Sequence, residues 1–349
     1  MDTFQLQQAV SAPGLFYSDN MLVDLYVDDI KIVAEKMVLQ NAVKIMEERF
    51  STKGDICGDE FTYVGLVSIR RNQKLRQIYI DQSGYIRKVL AKFDMLSCHG
   101  RATPIEPSIK LHTCTEEEEA FNTTRYREAI GCLLYIALSS RPDIMYTVGV
   151  LGRFSANPSI EHWTAVKHVL RYLKATLGLS FPLIGQATLQ NGLLAFADAD
   201  FAGDPVASKS TSGYAIYADR ILVLWKPKKQ GLVAQSTMEA ELVSAAEAWK
   251  NLQWFNSVLY EIGHFTAKTA TPTILNDNQS CIQVLNSGNF SSNSRHMRLR
   301  FHHLVDCIAR ESLNIRHIPM VEMCADGLTK ALGGVKHREF VRMMGLDYV

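Results

Sequence analysis

Four acidic residues in the second half of this chain stand where side chains from separate elements can meet. Each lies at the end of an apolar stretch or within a segment of helical periodicity. These residues are Asp198, Glu241, Asp277 and Asp326. Four converging carboxylates can hold two divalent metal ions about 3.5–4 Å apart, one activating an attacking water and the other stabilising a leaving oxygen. The chemistry indicated by this set is therefore two-metal hydrolysis with Mg²⁺ or Mn²⁺.

Two of these positions have a neighbour that offers the same chemistry. Asp200 follows Asp198 by two residues, so both side chains leave the same face of an extended strand. Glu239 precedes Glu241 by two residues, but it also follows Ser236 by three and fits a capping box at a helix start. Asp198 and Glu241 are therefore favoured, and Asp200 and Glu239 are the alternatives. Taken singly, each acid also has a structural explanation as a turn, cap or helix-start residue.

The elements that must position these acids follow one another as three strands, a long helix, a strand, helices, a strand and short helices. This order predicts a mixed sheet with helices packed on it. The strands are predicted over 193–199, 211–218, 221–226, 273–276 and 313–318, and the long helix over 236–262. The first strand is short and mostly apolar, which favours burial on both faces. Asp277 directly follows its strand, at the edge where α/β sheets bind ligands.

The N-terminal part is patterned as a hairpin followed by a helix. Residues 21–33 place Asp28 and Asp29 between two β-rich runs, which predicts an acidic hairpin turn. A helix is predicted over about 82–93, with Asp81 as its N-cap. The hairpin turn thus presents a second pair of carboxylates.

A linker and three helices are predicted between these regions. Residues 103–119 contain two prolines and an acidic run, which is typical of an extended, solvated linker. Helices are predicted over 124–139 and 142–154, and a third begins at Pro158 after an Asn157 cap and ends at Gly178. The apolar stripe of the third helix indicates a packing role.

Composition excludes several classes of protein. The chain has 349 residues, 47% hydrophobic and 21% charged, as in ordinary globular domains. A formal net charge of +1 excludes a strongly basic nucleic-acid binder, so such contacts must come from local patches. The longest apolar run, 129–138, is too short to span a membrane, and the N-terminus does not resemble a signal peptide. Seven cysteines without a CxxC pair predict free thiols in a reducing intracellular compartment, cytoplasmic or nuclear.

Several short sequences resemble the Pol polyprotein of copia-type LTR retrotransposons. Tyr26-Val27-Asp28-Asp29 resembles the YVDD box of reverse transcriptases. Five later segments resemble the copia-type ribonuclease H domain in the family's order: FADADFAGD with KSTSGY, WKPKKQGLVAQSTMEAEL, LNDNQSCI, SRHMRLRFHHL and HIPMVEMCADGLTKAL. The resemblance covers nearly the whole chain.

This resemblance implies a fold and a domain organisation. The implied fold class is α/β (α+β), a truncated reverse-transcriptase palm and thumb followed by a ribonuclease H-like mixed sheet with flanking helices. The implied domains are a partial reverse transcriptase over 1–113, a helical connection over 114–187 and a ribonuclease H-like domain over 188–349.

The resemblance also implies an activity. A ribonuclease H cleaves the RNA strand of RNA–DNA hybrids with two Mg²⁺ or Mn²⁺ ions. The catalytic and metal-binding residues that correspond to the family's set are Asp198, Glu241, Asp277 and Asp326. Asp28 and Asp29 correspond to part of a polymerase site, whose other aspartate lies well upstream of the YVDD box in the family. The chain is therefore expected to lack a complete polymerase site, unless a partner carrying the N-terminal polymerase part or a second copy supplies it.

Basic residues supply candidates for nucleic-acid contacts that would depend on salt. The candidates are Arg295, Arg298, Arg300, Lys228 and Lys229. A solvated helix face for the arginines and a hairpin turn for the lysines are the structural alternatives. His317 loosely matches a histidine that assists turnover in related nucleases, although a histidine at a strand edge is favoured. A minor alternative, without paired-ligand spacing, is a zinc site from His302, His303, Cys307, His317 and Cys324.

Two other functions compete with hydrolysis. A catalytically inactive remnant, or a co-opted protein, would bind nucleic acid or another protein through the same fold. This alternative is motivated by the hairpin strand near Tyr26, which is expected to lack the sheet neighbours that it has in a complete palm. Exposed strand edges of this kind favour association with other proteins. A transposase or integrase is less favoured, because the sequence has no DNA-end-binding zinc motif.

Overall fold

The computed structural model of this chain describes residues 4–50, 58–63, 67–72, 74, 77–115, 119–184, 192–204, 207–263, 270–290 and 295–348. Within these residues the strands are β1 (Gln7–Gln8), β2 (Leu15–Ser18), β3 (Met21–Tyr26), β4 (Asp29–Ala34), β5 (Glu60–Tyr63), β6 (Val67–Asn72), β7 (Gln77–Asp81), β8 (Leu179–Ile184), β9 (Leu193–Asp200), β10 (Thr211–Ala218), β11 (Ile221–Lys229), β12 (Thr273–Asn276), β13 (Asn314–His317) and β14 (Asp347–Tyr348). The α-helices are α1 (Lys36–Phe50), α2 (Ser83–Lys92), α3 (Thr123–Ser139), α4 (Met145–Gly152), α5 (Ile160–Ala175), α6 (Thr237–Glu261), α7 (Gln279–Ser287), α8 (Arg295–Ala309), α9 (Asp326–Thr329) and α10 (Gly334–Met343).

The strands form three sheets in the described part of the chain. The N-terminal sheet has the order β1-β2-β3-β4 and is antiparallel. The central sheet has the order β11-β10-β9-β12-β13, in which β10 pairs antiparallel with β9 and β11, whereas β12 runs parallel to β9 and β13. The bridging sheet has the order β14-β8-β7-β6-β5. The predicted fold class, α/β with a mixed sheet and flanking helices, is confirmed.

The hairpin predicted around the first acidic pair is confirmed. β3 pairs with β4 with Tyr26 opposite Asp29, so Val27 and Asp28 form the turn. Val27 has a φ of +53°, a left-handed conformation of the kind found in tight hairpin turns. Asp28 and Asp29 are both exposed at this turn.

Two predicted helix starts are wrong by one or two residues. α2 begins at Ser83, and Asp81 accepts a hydrogen bond from the Ser83 amide without being the N-cap. α5 is capped by Ser159 instead of Asn157: the Ser159 hydroxyl accepts from the His162 amide, and the His162 ring accepts from the Ser159 amide. A capping box needs an acceptor at each of these positions, and Ser159 with His162 provides both.

The prediction of an extended, solvated linker over 103–119 is confirmed for most of the residues that can be described, which are exposed, but not for a few that are buried. Residues 103–115 contain no helix or strand, and 116–118 lie outside the described residues. Thr103, Ile105 and Leu111 are nevertheless buried, and the Thr103 carbonyl accepts a hydrogen bond from His168 of α5 at 3.0 Å. This segment is therefore a mostly exposed connection that is held against the helices at a few buried residues.

The central sheet is covered by helices on both faces. β9 is its middle strand and is buried on both sides, as its apolar sequence predicts. Side chains along β10 alternate between two cores: Ile216 lies in the same core as Leu242 of α6, whereas Tyr217 lies in the same core as Leu328 of α9. α6 and α9 therefore pack on opposite faces of this sheet.

The bridging sheet joins three distant parts of the chain. β7 pairs with β8, and β8 pairs with β14, so strands from the three predicted domains share one sheet. The core that contains Leu328 also contains side chains of α2, α3, α4, α5 and α10. The helices of the predicted connection thus contribute to the core that covers one face of the central sheet.

No helix in the described residues is long and apolar enough to cross a membrane. Cys57 lies outside the described residues. Five described cysteines have free thiols: Cys98, Cys132, Cys281, Cys307 and Cys324.

Candidate metal centre

Three predicted acids lie together at one end of the central sheet. β12 runs parallel to β9 with Leu275 opposite Phe196, so two residues further along Asp277 lies beside Asp198. Glu241 reaches the same place from the second turn of α6. One carboxylate oxygen each from Asp198, Glu241 and Asp277 lies within 4.8 Å of the other two. Among the described residues, no other set of three or more His, Cys, Asp or Glu side chains is this close.

Asp326 approaches this trio from the opposite face of the sheet. It is the first residue of α9, and its side chain is largely buried. After burial, the charge of Asp326 is the next cause that raises the pKa of Asp198 and of Asp277. Asp326 does not itself belong to the group within 4.8 Å. The structure thus brings three of the four predicted ligands together and places the fourth within electrostatic reach.

A glycine in β10 allows α9 to come this close. Gly213 pairs with Asp198 in the sheet register. A Cβ atom built on Gly213 would lie 2.6 Å from Thr329 Cγ2 and 2.9 Å from Leu328 Cβ. A larger residue would displace α9, so Gly213 sets how closely α9 packs over Asp198.

Neighbouring polar side chains orient two of the acids. The Thr329 hydroxyl donates a hydrogen bond to Asp198 Oδ2. The fully buried Asn276 amide donates to Glu241 Oε2 and to a β9 carbonyl, both at 2.9 Å. Asn276 Oδ1 in turn accepts from the Asn278 amide at 2.9 Å. Such outer contacts fix the orientation in which a carboxylate meets a metal ion.

Burial of like charges raises the pKa of each acid in the trio. Burial and then Asp326 raise the pKa of Asp198 to about 7, and the hydrogen bond from Thr329 opposes them. Burial and then the charge of Asp198 hold the pKa of Glu241 well above its usual value. Burial also raises the pKa of Asp277. Because a bound cation would relieve this repulsion, the site has the electrostatics of a cation site.

The two alternative acids lie outside the trio. Asp200 is half-buried and is not within the 4.8 Å group. The Glu239 amide donates to the Ser236 hydroxyl at 3.2 Å, which confirms Ser236 as the cap of α6. The Glu239 carboxylate accepts from the Gln235 amide at 2.8 Å, whereas the capping box predicted the Ser236 amide. Glu239 is therefore a structural residue.

His317 lies at a sheet edge, as favoured from the sequence. It ends the edge strand β13, pairs with Asn276 and is exposed. The zinc alternative is wrong, because no metal-binding group forms within the described residues from His302, His303, Cys307, His317 and Cys324.

The two lysine candidates are strand residues with acidic partners. β11 extends through Lys229, so the alternative of a hairpin turn is wrong. Lys228 Nζ lies 2.8 Å from Glu247 of α6, and Lys229 pairs with Asp204. Both lysines are therefore partly neutralised.

The three arginine candidates lie on α8. Arg300 lines a groove beside α6 together with Lys228 and Lys229. Arg295 and Arg298 are exposed and do not line this groove. Three of the five basic candidates are thus brought together.

The acidic hairpin turn has no matching carboxylate. Asp28 and Asp29 belong to no group of three potential ligands in the described residues. Asp24, on the same hairpin, instead accepts a hydrogen bond from the Tyr63 hydroxyl at 2.7 Å. Within the described residues, the hairpin acids are therefore not joined by others into a metal-ligand group.

Several site residues are absent from the sequence-based set. Thr329 and Lys330 follow Asp326 by three and four residues, a helical spacing that places them on its face. Asn276 immediately precedes Asp277, and Gly213 lies in the predicted second strand. The helical spacing could have identified Thr329 and Lys330 from the sequence. No sequence pattern near Gly213 indicates its contact with α9.

The donor set fits a hard divalent cation. All the candidate ligand atoms are carboxylate oxygens, which Mg²⁺ and Mn²⁺ prefer. The raised pKa of Asp198 and the orienting contact from Asn276 to Glu241 are further features expected of such a site.

Comparisons with known proteins give sequence relatives over most of the chain. A family profile of reverse transcriptase (RNA-dependent DNA polymerase) matches residues 2–107. The retrovirus-related Pol polyprotein from transposon TNT 1-94 of Nicotiana tabacum is 32% identical over 338 residues, which is 95% of this chain and 25% of that protein. The corresponding polyprotein from transposon RE2 of Arabidopsis thaliana is 33% identical over 325 residues, 92% of this chain and 21% of that protein. The chain therefore spans about a quarter or less of the length of these relatives.

Solved structures also match part of the chain. LC11-RNase H1, isolated from compost by a metagenomic approach, is similar over 40% of this chain and 94% of its own, with 16% identity and a TM-score of 0.31.

Proposed function

Because this chain belongs to the Pol polyproteins of copia-type retrotransposons, we propose that its C-terminal part is a ribonuclease H that cleaves the RNA strand of RNA–DNA hybrids. The observation that carries the proposal is the trio of Asp198, Glu241 and Asp277, whose ligand oxygens lie within 4.8 Å of one another. The four predicted ligands, Asp198, Glu241, Asp277 and Asp326, also occur along the chain in the order in which the family's acids occur.

The metal ligands in this proposal are Asp198, Glu241, Asp277 and Asp326. Two Mg²⁺ or Mn²⁺ ions, when bound, supply an activated water and stabilisation of the leaving oxygen. The chain's own residues hold the ligands in place. Thr329 fixes Asp198, and Asn276 links Glu241 to the backbone of β9. This preorganisation reduces the rearrangement that binding would otherwise require.

The domain proposal has three parts. Residues 1–113 are a partial reverse transcriptase, 114–187 a helical connection and 188–349 the ribonuclease H. Strands β7, β8 and β14 come one from each part and share the bridging sheet. The connection therefore supports the nuclease through packing.

The proposed substrate contacts an electropositive surface on α8 and the groove beside α6. Arg295, Arg298 and Arg300 would follow phosphates and make binding depend on salt. Lys228 and Lys229 would contribute less, since each already has an acidic partner. Discrimination of a hybrid from DNA would rest on 2′-hydroxyl and shape contacts in the minor groove.

The decisive experiment measures cleavage of a labelled RNA–DNA hybrid by the purified chain in Mg²⁺. We expect cleavage by the wild type and none by Asp277→Asn or Asp198→Asn, because each variant loses a charged ligand. Asp200→Asn is the matched control and should retain activity, since Asp200 lies outside the trio. Equal cleavage by the wild type and Asp277→Asn would contradict the proposal and would point to a contaminating nuclease.

A second candidate function is binding without catalysis. The observation that favours it is the set of exposed apolar side chains around the hairpin, Tyr26 (59%), Val27 (80%), Val33 (53%) and Met37 (80%). A partner carrying the N-terminal polymerase part, or a second copy, would cover them. Hybrid binding in EDTA by a protein that never cleaves, together with a solution mass above that of one chain, would support this function.

A further inference from the structure

Lys330 places an ammonium group among the carboxylates of the candidate metal centre. It directly follows α9, and its Nζ lies 2.8 Å from Asp326 Oδ1. Burial is the largest cause that raises the pKa of Asp198 and of Asp277, and Lys330 is among the causes that lower both. One cation thus acts on acids from three different elements.

The same contacts keep Lys330 charged. Burial alone would lower the pKa of Lys330, but the hydrogen bond to Asp326 and the charges of Asp198 and Asp277 raise it. The Lys330 side chain is 41% exposed. The ammonium therefore has a path to solvent that does not require α9 to unfold.

A divalent ion at Asp326 would share that carboxylate with the ammonium of Lys330. Asp326 Oδ1 is the atom that contacts Lys330, and Asp326 is the one predicted ligand outside the trio. A single positive charge only partly offsets four carboxylates, so the group still attracts a divalent cation. An ion bound at Asp326 would therefore lie close to the ammonium and be repelled by it.

We propose that Lys330 is an internal counter-ion of the carboxylate group, which stabilises the metal-free protein and competes with a divalent ion for Asp326. This inference rests on the proposed function for its choice of metal ligands, and it adds control of ion affinity by a residue of the chain itself. Lys330 is in this sense a positioning residue, because it acts through Asp326.

The test compares wild type, Lys330→Gln and the charge-retaining control Lys330→Arg as full-length chains. Mn²⁺ affinity is measured by electron paramagnetic resonance of the free ion. Lys330→Gln should bind Mn²⁺ about tenfold more tightly, since a nearby like charge is removed, and Lys330→Arg should match the wild type. In EDTA, Lys330→Gln should melt at a lower temperature than the wild type, and Mg²⁺ should abolish the difference.

The outcomes separate this inference from the proposed function. If the wild type cleaves hybrids but Lys330→Gln binds Mn²⁺ no more tightly than the wild type, the counter-ion role is overturned and the proposed function is not. Suppose that Lys330→Gln binds Mn²⁺ more tightly and melts at a lower temperature in EDTA than the wild type, while the wild type does not cleave hybrids. This result would support the counter-ion role and refute the proposed nuclease activity. Absence of Mn²⁺ binding by the folded wild type would overturn both.

A second background covers the case in which Lys330→Gln does not fold. In Asp326→Asn the carboxylate group carries one negative charge fewer, so loss of the lysine costs less stability. Lys330→Gln added to Asp326→Asn should change Mn²⁺ binding much less than tenfold relative to Asp326→Asn alone, because the carboxylate for which the ammonium competes is gone. Tightening by tenfold or more in this pair would contradict the inference that Lys330 acts through Asp326.

Discussion

At the scale of single residues, the charge of Asp198 is set by opposing neighbours. Burial and Asp326 raise its pKa to about 7, whereas the hydroxyl of Thr329 and the ammonium of Lys330 lower it. A carboxylate must be ionised to bind a metal ion, so the hydrogen bond from Thr329, which lowers this pKa without adding a positive charge, favours ligation near neutral pH. Substitution of Thr329 should therefore lower the cleavage rate although all the proposed metal ligands are kept.

Thr329→Val should slow hybrid cleavage near pH 7 by ~10- to 100-fold, the usual effect of losing a contact behind a metal ligand. The deficit should shrink as pH rises, because Asp198 without its hydrogen bond ionises at higher pH. Rates measured from about pH 6 to about pH 9 at Mg²⁺ concentrations below saturation check this, because the proton and the metal ion compete for Asp198. Thr329→Ser keeps the hydroxyl and serves as the control; a pH profile of Thr329→Val that superimposes on it would refute the role.

At the scale of elements, a buried polar cluster holds α10 against the connection helices. Arg141 Nη2 lies 2.7 Å from Asp143 Oδ2, to which the Tyr172 hydroxyl of α5 also donates at 2.6 Å. His337 of α10 lies 3.0 Å from the Tyr172 oxygen and donates to it, since the hydroxyl hydrogen is used on Asp143. Through this chain of contacts, α5 fixes α10.

α10 in turn fixes the element that carries Asp326. A Cβ atom on Gly327 of α9 would lie 2.5 Å from the Phe340 ring of α10. The two helices therefore pack in direct contact, and the position of Asp326 depends on helices outside the central sheet. The predicted connection thus contributes to the candidate metal centre through packing.

His337 should make the protein less stable in mild acid. Burial is the main cause that lowers the pKa of His337 below its usual value of 6.5. The unfolded chain therefore binds this proton more readily, so the free energy of unfolding falls as pH drops through about 6.5 and levels off below the folded pKa. Urea unfolding at about pH 7.5 and about pH 5.5 measures the difference.

The matched variant is His337→Gln, which keeps a donor for Tyr172 but has no proton to gain in this range. Its difference in unfolding free energy between the two pH values should be smaller than that of the wild type. An unchanged difference would show that other groups cause the acid sensitivity.

At the scale of the whole molecule, the part that matches the reverse transcriptase profile and the part that carries the acidic trio are joined by packing. The bridging sheet and the core around Leu328 connect the N-terminal part to the proposed nuclease. The only trio of potential metal ligands in the described residues is nevertheless the one at the central sheet. Asp28 and Asp29 stand exposed on their hairpin and, in the described part of the chain, belong to no group of three potential metal ligands.

The chain alone should not extend a primer, because two-metal polymerisation needs carboxylates from separate strands. A labelled primer on an RNA template, incubated with the chain, nucleotides and Mg²⁺, should stay at its original length. The same preparation must cleave an RNA–DNA hybrid, so that an inactive sample is not mistaken for the expected result. Primer extension that survives Asp277→Asn and is lost in Asp28→Asn would show that the hairpin completes a polymerase site.

Local sequence patterns were sufficient to predict most elements of the nuclease part. The strand over Thr211–Ala218, the strand over Thr273–Asn276 and the Ser236 cap of α6 follow from apolar runs, turn residues and helix-start signals within a few positions. The hairpin follows in the same way, although its turn residues are Val27 and Asp28 and not the predicted pair Asp28 and Asp29. The order of the four acids along the chain was also readable, because the resemblance lies in contiguous segments.

The tertiary structure alone decided how these acids meet and what holds them. The hydrogen bond from Thr329 to Asp198 joins residues 131 positions apart, and the approach of α9 depends on the missing side chain of Gly213. The burial of Thr103 and Leu111 against distant helices was likewise unreadable from a proline-rich, acidic segment. Periodicity reports which face of an element is apolar, but not which distant element covers it. Burial, and with it the charge of each carboxylate, is fixed only when those faces pack together.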